Sequence, residues 1–180
     1  MKNSFFLLSI FFLTACISAP QGLERDKYEI QNLAQVNEEI LQCHCKQARL
    51  GGKVIKATAL QNKMKIEVLS LPILTFSGRP ELEGQTNGRF IAYLDGFIDP
   101  ESLKDQYITM GGFLKGAEKG KIDQADYIYP ILQGKDYRIW QLAQEYYYDP
   151  EDLADFYESR RRWGFGGFWR PEPRLRYVLY

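Results

Sequence analysis

The sequence predicts a mainly β protein: a small OB-like five-stranded barrel with one short helix between strands three and four, plus a C-terminal helix and aromatic tail. Three observations predict it. Residues 48–140 break into apolar stretches with strand periodicity, separated by turn residues. One helix start, Asp99-Pro100-Glu101-Ser102, falls between the third and fourth stretches. Glycines interrupt the first and fourth stretches, where a small closed barrel needs tight bends. The order strand, strand, strand, short helix, strand, strand is that of a five-stranded Greek-key barrel. A β-sandwich is the competing architecture, and a lone helix at that position favours the barrel.

The elements follow in order. Residues 1–15 have the form of a signal peptide: Lys2 is the only charge, and residues 5–13 are apolar apart from Ser9. That run is far shorter than the roughly 20 residues a membrane span needs. Residues 16–27 are expected to be a lipidated cysteine and a tether, with Pro20, Gly22 and no periodicity. Residues 28–142 form the barrel domain. It opens on a helical pattern in which Ile30, Leu33, Val36 and Ile40 recur at spacings of three and four.

The first strand is expected over 49–57, with a glycine bulge at Gly51-Gly52. Met64, Ile66 and Val68 alternate with Lys63, Lys65 and Glu67 in a half-buried second strand that Pro72 ends. Residues 75–88 read as a loop. The third strand, 89–98, carries Phe90, Ala92, Leu94 and Ile98 on one face. A short helix runs to about Asp105. The fourth strand, 107–116, aligns Ile108, Met110, Gly112 and Leu114, and a turn is expected over 117–121. Residues 127–132 and 137–141 then make a strand or a hairpin around Gln133-Gly134-Lys135-Asp136. In the tail, 143–180, Asp149-Pro150-Glu151-Asp152 repeats the helix-start chemistry. Arg160, Arg161 and Arg162 suit the negative end of that helix, and Gly164 would stop it. Trp163, Phe165, Phe168, Trp169 and Arg170 follow as an aromatic, glycine-rich patch.

Charge excludes one class of partner. The chain has 23 basic and 23 acidic residues, and removing residues 1–15 removes Lys2 alone, leaving 22 and 23. That balance gives no footprint for nucleic acid. With 14% aromatic residues the chain has enough apolar surface for a core, so global disorder is not expected.

Cys16 is the one residue whose chemistry follows from its context. Leu13-Thr14-Ala15-Cys16 has the form of a lipobox: an aliphatic residue, two small residues and a cysteine. The thiol forms a thioether with diacylglycerol, the small residues fit a peptidase cleft, and cleavage frees the amine for a further acyl chain. Two or more chains anchor stably where one is marginal. Cys43 and Cys45 flank His44, the single histidine. Plain thiols, a strained or intermolecular disulfide, and a metal or redox role for Cys43, His44 and Cys45 stay open there. Beyond the acylated Cys16, the mature chain has no further Cys or His to complete a metal site.

Several runs resemble the Slp family of Gram-negative outer-membrane lipoproteins. They are Arg49-Leu50-Gly51-Gly52-Lys53-Val54-Ile55, Glu67-Val68-Leu69-Ser70-Leu71-Pro72, Gly88-Arg89-Phe90-Ile91-Ala92, Gly96-Phe97-Ile98-Asp99-Pro100, Tyr107-Ile108-Thr109-Met110-Gly111-Gly112 and the aromatic patch from Trp163 to Trp169. The resemblance spans roughly 48–171. It implies an outer-membrane lipoprotein of a family named for induction on starvation, and it implies no catalytic residue. Cys43-His44-Cys45 lies outside the pattern. Ile17 fits transfer to the outer membrane, since Asp after the lipidated cysteine commonly marks inner-membrane retention in enteric bacteria.

No catalytic constellation emerges. The single His removes most Ser-His-Asp and Cys-His schemes unless His44 itself is the base, and its flanking cysteines are too local for an ordinary triad; the glycine runs lack the strand-to-helix context and Lys of a phosphate loop. Asp95 and Asp99 on an extended strand would stand about 13 Å apart, wide for paired carboxylates. The expectation is a non-enzymatic lipoprotein on the periplasmic side of the outer membrane, acting in envelope maintenance or stress adaptation. It needs no cofactor beyond the lipid on Cys16. Its partners are the membrane, the lipoprotein processing and sorting machinery, and an envelope protein or polymer, with no nucleic acid. A binding module using Tyr93, Phe97 and Tyr107 on the barrel face, or the aromatic patch, is the alternative. The patch itself has two readings, a cover over the barrel or a surface for lipid or protein.

Overall fold

The computed structural model describes residues 18–164 and 170–180, without the side chain of Trp163. Seven strands and three α-helices are present among them: α1 (Glu38–Cys43), β1 (Gln47–Ala59), β2 (Lys63–Leu71), β3 (Arg89–Asp95), α2 (Pro100–Leu103), β4 (Tyr107–Ile122), β5 (Ala125–Trp140), β6 (Leu142–Tyr147), α3 (Pro150–Trp163) and β7 (Arg174–Leu179). Strands β1 to β5 close a barrel in the order β1-β2-β3-β5-β4. All pairs are antiparallel except β3 and β5, which run parallel with Ile91 opposite Ile131. The expected OB-like barrel, with a short helix between strands three and four, is therefore the fold.

Alternation supplies the core. Ala48, Leu50 and Val54 of β1, Met64, Ile66 and Val68 of β2, Phe90, Ala92 and Leu94 of β3, Ile108, Met110 and Leu114 of β4, and Leu132 of β5 point inward and are buried. The two ends are plugged separately. Leu103 of α2 enters at the end where β3 finishes and β4 begins; Leu33 enters near Gly88, where β3 begins. Asp99 caps α2, its carboxylate accepting from the Glu101 amide at 3.1 Å. The double glycines serve close approach: a Cβ on Gly52 would stand 1.9 Å from the Leu69 carbonyl oxygen, and one on Gly112 would stand 2.0 Å from that of Gln133.

Three expectations need correction, and one open alternative is decided. The helical pattern over 30–40 is a bridge at Ile30, a 3-10 turn at Leu33–Gln35 and a single short helix, because the apolar residues are spent plugging a barrel end. The expected turn at 117–121 is strand: β4 and β5 continue as a long ribbon and turn at Asp123 and Gln124, with Asp123 at φ 52. Of the strand or hairpin left open over 127–141, the structure has the strand: β5 runs through Gln133-Gly134-Lys135-Asp136 with a bulge, where Gly111 faces Asp136 and Gly112 faces Gly134. The tether is shorter than 16–27: Leu23 is fully buried, and its amide closes a turn onto the Pro20 carbonyl.

Sequence reading found no strands in the tail. There, β6 and β7 pair antiparallel, with Leu142 opposite Leu179 and Tyr147 opposite Arg174. Helix α3 starts at the expected cap, and its C-terminal turn holds Arg160, Arg161 and Arg162. No helix of the described residues is long and apolar enough to cross a membrane.

Candidate functional site: a charged groove under the β4–β5 ribbon

Beyond Leu114 the β4–β5 pair leaves the barrel wall. A register shift between Leu114 and Ala117, with Gly116 at φ 94, bends the ribbon. Its side chains then fasten it to the outer face of β2 and β3. Lys65 pairs with Glu118, whose other oxygen accepts from the Tyr93 hydroxyl at 2.9 Å. Glu67 accepts from Arg89 at 2.7 Å and from the Tyr129 hydroxyl at 3.3 Å. The Arg89 amide donates to the Tyr127 hydroxyl at 2.9 Å.

Between ribbon and barrel lies a groove of about 350 Å³ lined by Lys56, Thr58, Lys65, Glu67, Ile91, Glu118, Gly120, Lys121 and Tyr129. Strand register explains the assembly. Lys56 stands opposite Glu67 and Thr58 opposite Lys65, and Lys65 in turn stands opposite Tyr93. These outward positions of adjacent strands form a polar row whose apolar floor is Ile91.

The electrostatics are uneven. The hydrogen bond from Lys65 holds the Glu118 carboxyl below its usual range, against the opposing effect of burial and with help from the Tyr93 hydroxyl. Burial, then Glu67, pushes the Tyr129 hydroxyl up, so it stays a neutral donor. Both acids of the groove are thus occupied by cations and hydroxyls. Lys56 and Lys121 make no ion pair among the described residues. The groove offers two uncommitted ammonium groups beside aromatic edges, suited to holding an anion. It has no nucleophile paired with a base.

The residues singled out from sequence scatter. Of the proposed ligand face, Tyr93 flanks the groove. Phe97 follows β3 in an exposed connection, and Tyr107 lies opposite Lys53 and Trp140 on another side of the barrel. Those three do not converge. Asp95 ends β3, and Asp99 is a helix cap. Cys43 and Cys45 are joined in a disulfide at the end of α1, with exposed His44 in the left-handed region at φ 53. Oxidised sulfurs are not thiolate ligands, so the three do not form the metal site considered above. Cys16, Phe165, Phe168, Trp169 and the Trp163 side chain lie outside the described residues, and Arg170 is exposed. Sequence reading missed Lys56, Lys65, Glu118, Lys121 and Tyr129. The signal for Glu118, Lys121 and Tyr129 was the polar, Lys- and Tyr-bearing run across 115–129, which the expected turn at 117–121 interrupts; Lys56 and Lys65 sit at outward positions of strands one and two, which alternation marks only as solvent-facing.

A second polar centre stands on the β1–β4 seam. Arg49 is fully buried, and its guanidinium donates to the Leu23 carbonyl at 2.7 Å, the Gln31 side chain at 2.5 Å and the Thr75 carbonyl at 2.9 Å. Its Nε has no partner. Burial pulls the guanidinium below its ordinary pKa.

The family model described as "Outer membrane lipoprotein Slp family" matches residues 13–171. An uncharacterized protein of Haemophilus influenzae is 46% identical over 179 residues, covering 97% of this chain and 96% of that protein. The uncharacterized lipoprotein YeaY of Escherichia coli is 29% identical, covering 89% of this chain and 86% of its own. Outer membrane protein Slp of Escherichia coli is 27% identical, covering 96% and 87%. A solved structure, Schizosaccharomyces pombe Pot1pC bound to single-stranded DNA, aligns with 74% of this chain and 96% of its own at 15% identity. Its TM-score is 0.27, too low to carry an argument.

Proposed function

The chain belongs to the outer membrane lipoprotein Slp family, and from that footing we propose that it is a non-enzymatic, lipid-anchored protein of the outer membrane that holds an acidic envelope ligand in the groove under the β4–β5 ribbon. The lipid is carried by Cys16, directly after Leu13-Thr14-Ala15. The family's description and the relative named as a lipoprotein support that anchor. The domain faces the periplasm and serves envelope maintenance or stress adaptation. Its partners are the processing and sorting machinery and the ligand in the groove. No cofactor enters beyond the lipid.

The observation that carries the binding role is the imbalance in the groove: its two acids are paired, while Lys56 and Lys121 are free of ion pairs among the described residues. Solvated lysines on a surface are ordinary. Two of them in a cleft with a Tyr edge and an apolar floor are less so, because low-dielectric walls focus their field. Fluorescent dextran sulfate, with neutral dextran as control, tests the role. Lys56→Glu with Lys121→Glu should weaken dextran sulfate binding at least about tenfold, roughly 1.4 kcal/mol. Neutral dextran should not bind. Equal affinity of wild type and double variant would remove the groove from consideration.

A further inference from the structure

We infer that the loop 74–79, with Phe76 at its tip, is the membrane-facing point of the domain and inserts into the lipid surface beside the anchor. The inference rests on the acylation of Cys16 proposed above and adds an orientation to it.

The first step is a length. The Leu23 amide donates to the Pro20 carbonyl at 2.9 Å and Leu23 is fully buried, so the chain is fixed to the barrel from Pro20 onward. Cys16 is four residues before Pro20, a reach of at most about 14 Å. The polar headgroup layer takes up about 5–8 Å of that on one side of a bilayer. A cysteine acylated at the lipid boundary therefore leaves the barrel little room to stand off. The surface around Pro20 stands within about 6–9 Å of the headgroups.

The second step is what stands beside Pro20. The guanidinium of Arg49 holds the Leu23 carbonyl at 2.7 Å and the Thr75 carbonyl at 2.9 Å. One planar group thus fixes the end of the tether and the residue before Phe76. The loop is stiff as well as close. The Leu74 amide donates to the Arg79 carbonyl and the Gly78 amide to the Leu74 carbonyl, both at 2.8 Å. The Thr109 hydroxyl donates to the Gly78 carbonyl at 2.6 Å. On this rigid base Phe76 is 72% exposed, with Leu74 partly exposed beside it. A large apolar side chain held in water by a fixed backbone, at the point where the membrane must approach, is placed for insertion.

The charges nearby decide the kind of contact. Arg25, Lys27 and the loop's own Arg79, which donates to the Leu179 carbonyl, are balanced by Glu24, Asp26 and Asp136, with Lys27 paired to Glu24 and Asp136 set against Gly22. The sum gives no basic patch for anionic lipid, so the contact is apolar and insensitive to salt.

Phe97 provides the internal control. It is 75% exposed and follows β3, which lies across the barrel from the β1–β4 seam where Arg49 and the loop stand. The test uses full-length acylated protein carrying Phe76→Cys or Phe97→Cys, each labelled once with an environment-sensitive fluorophore, as confirmed by mass. Each is reconstituted in phosphatidylethanolamine–phosphatidylglycerol vesicles containing nitroxide lipid. The label at 76 should be quenched several-fold more than the label at 97, unchanged at high salt. Equal quenching, or stronger quenching at 97, in protein that floats with the vesicles overturns the orientation and leaves the anchor standing. Protein that neither floats nor carries lipid by mass overturns both.

Discussion

Arg49 shows how much one side chain can organise. A guanidinium buried without a carboxylate costs several kcal/mol of desolvation. It persists here because it answers three acceptors at once, two of them carbonyls from segments far apart in sequence. Charge-assisted hydrogen bonds contribute about 1.5–3 kcal/mol each, enough together to outweigh that penalty. Arg49→Met keeps the stem and removes the donors, leaving buried acceptors unsatisfied. It should lower unfolding stability by about 2–4 kcal/mol, read from denaturant melts. A variant as stable as wild type would show that Arg49 is tolerated and not a staple. Gly111 beside it is as constrained, since a Cβ there would fall 2.1 Å from the Tyr28 hydroxyl oxygen, which donates to the Gly22 carbonyl. In the run Arg49-Leu50-Gly51-Gly52 only Leu50 enters the core. The rest answer packing on the outside of the barrel, and nothing local in the sequence announces that.

At the scale of elements, the β4–β5 ribbon is held by contacts that titrate. Glu118 has its pKa lowered from 4.5 in the fold, so its contribution is present above that value and is lost as pH falls through the folded pKa. Lys65 is raised from 10.5 by the same pair, so its contribution is present below that value and fades as pH rises through the folded pKa. The ribbon should therefore stay docked between these limits and loosen in acid. The pair is about a third exposed, which limits its worth to about 1 kcal/mol or less. Hydrogen exchange of amides in 116–130 at about pH 3 and pH 7 should show acid-enhanced opening in wild type. Glu118→Gln should remove most of that difference. Wild-type exchange free of any acid-specific opening after correction for intrinsic rates would mean that other contacts hold the ribbon.

At the scale of the molecule, the barrel and the tail are joined through few contacts that matter. Leu179 of β7 is buried, and its carbonyl accepts from Arg79 at 2.8 Å, tying the last strand to the loop after β2. The exposed face of the β6–β7 pair, with Tyr146, Leu175 and Tyr177, leaves the rest of the tail less buried than the barrel. Ending the chain after Ser159 removes β7 and the aromatic patch together. Loss of one buried leucine at about 1.5–3 kcal/mol corresponds to a fall in Tm of roughly 3–12 °C with the barrel still folded. Circular dichroism melts check this; a chain that fails to fold would make the tail part of the barrel's core structure.

What the sequence determined by itself was periodic or chemically singular. Strand alternation in 48–114, the two Asp-Pro helix starts and the helix between strands three and four gave the barrel, because a period-two apolar pattern permits one inward face and fixes the register. The Leu13-Thr14-Ala15-Cys16 sequence predicted an anchor in the same local way. The tertiary structure decided what depends on residues far apart meeting. It made Gly120 and Gly134 into close-packed strand positions where isolated glycines read as turns, because Tyr129 and Leu94 stand against them. It brought Lys65 to Glu118 across 53 residues and Arg49 to Leu23 and Thr75 across 26 residues on either side. Polar pairing over such separations leaves no period in the chain, so the groove and the membrane-facing loop became visible only once the barrel had closed.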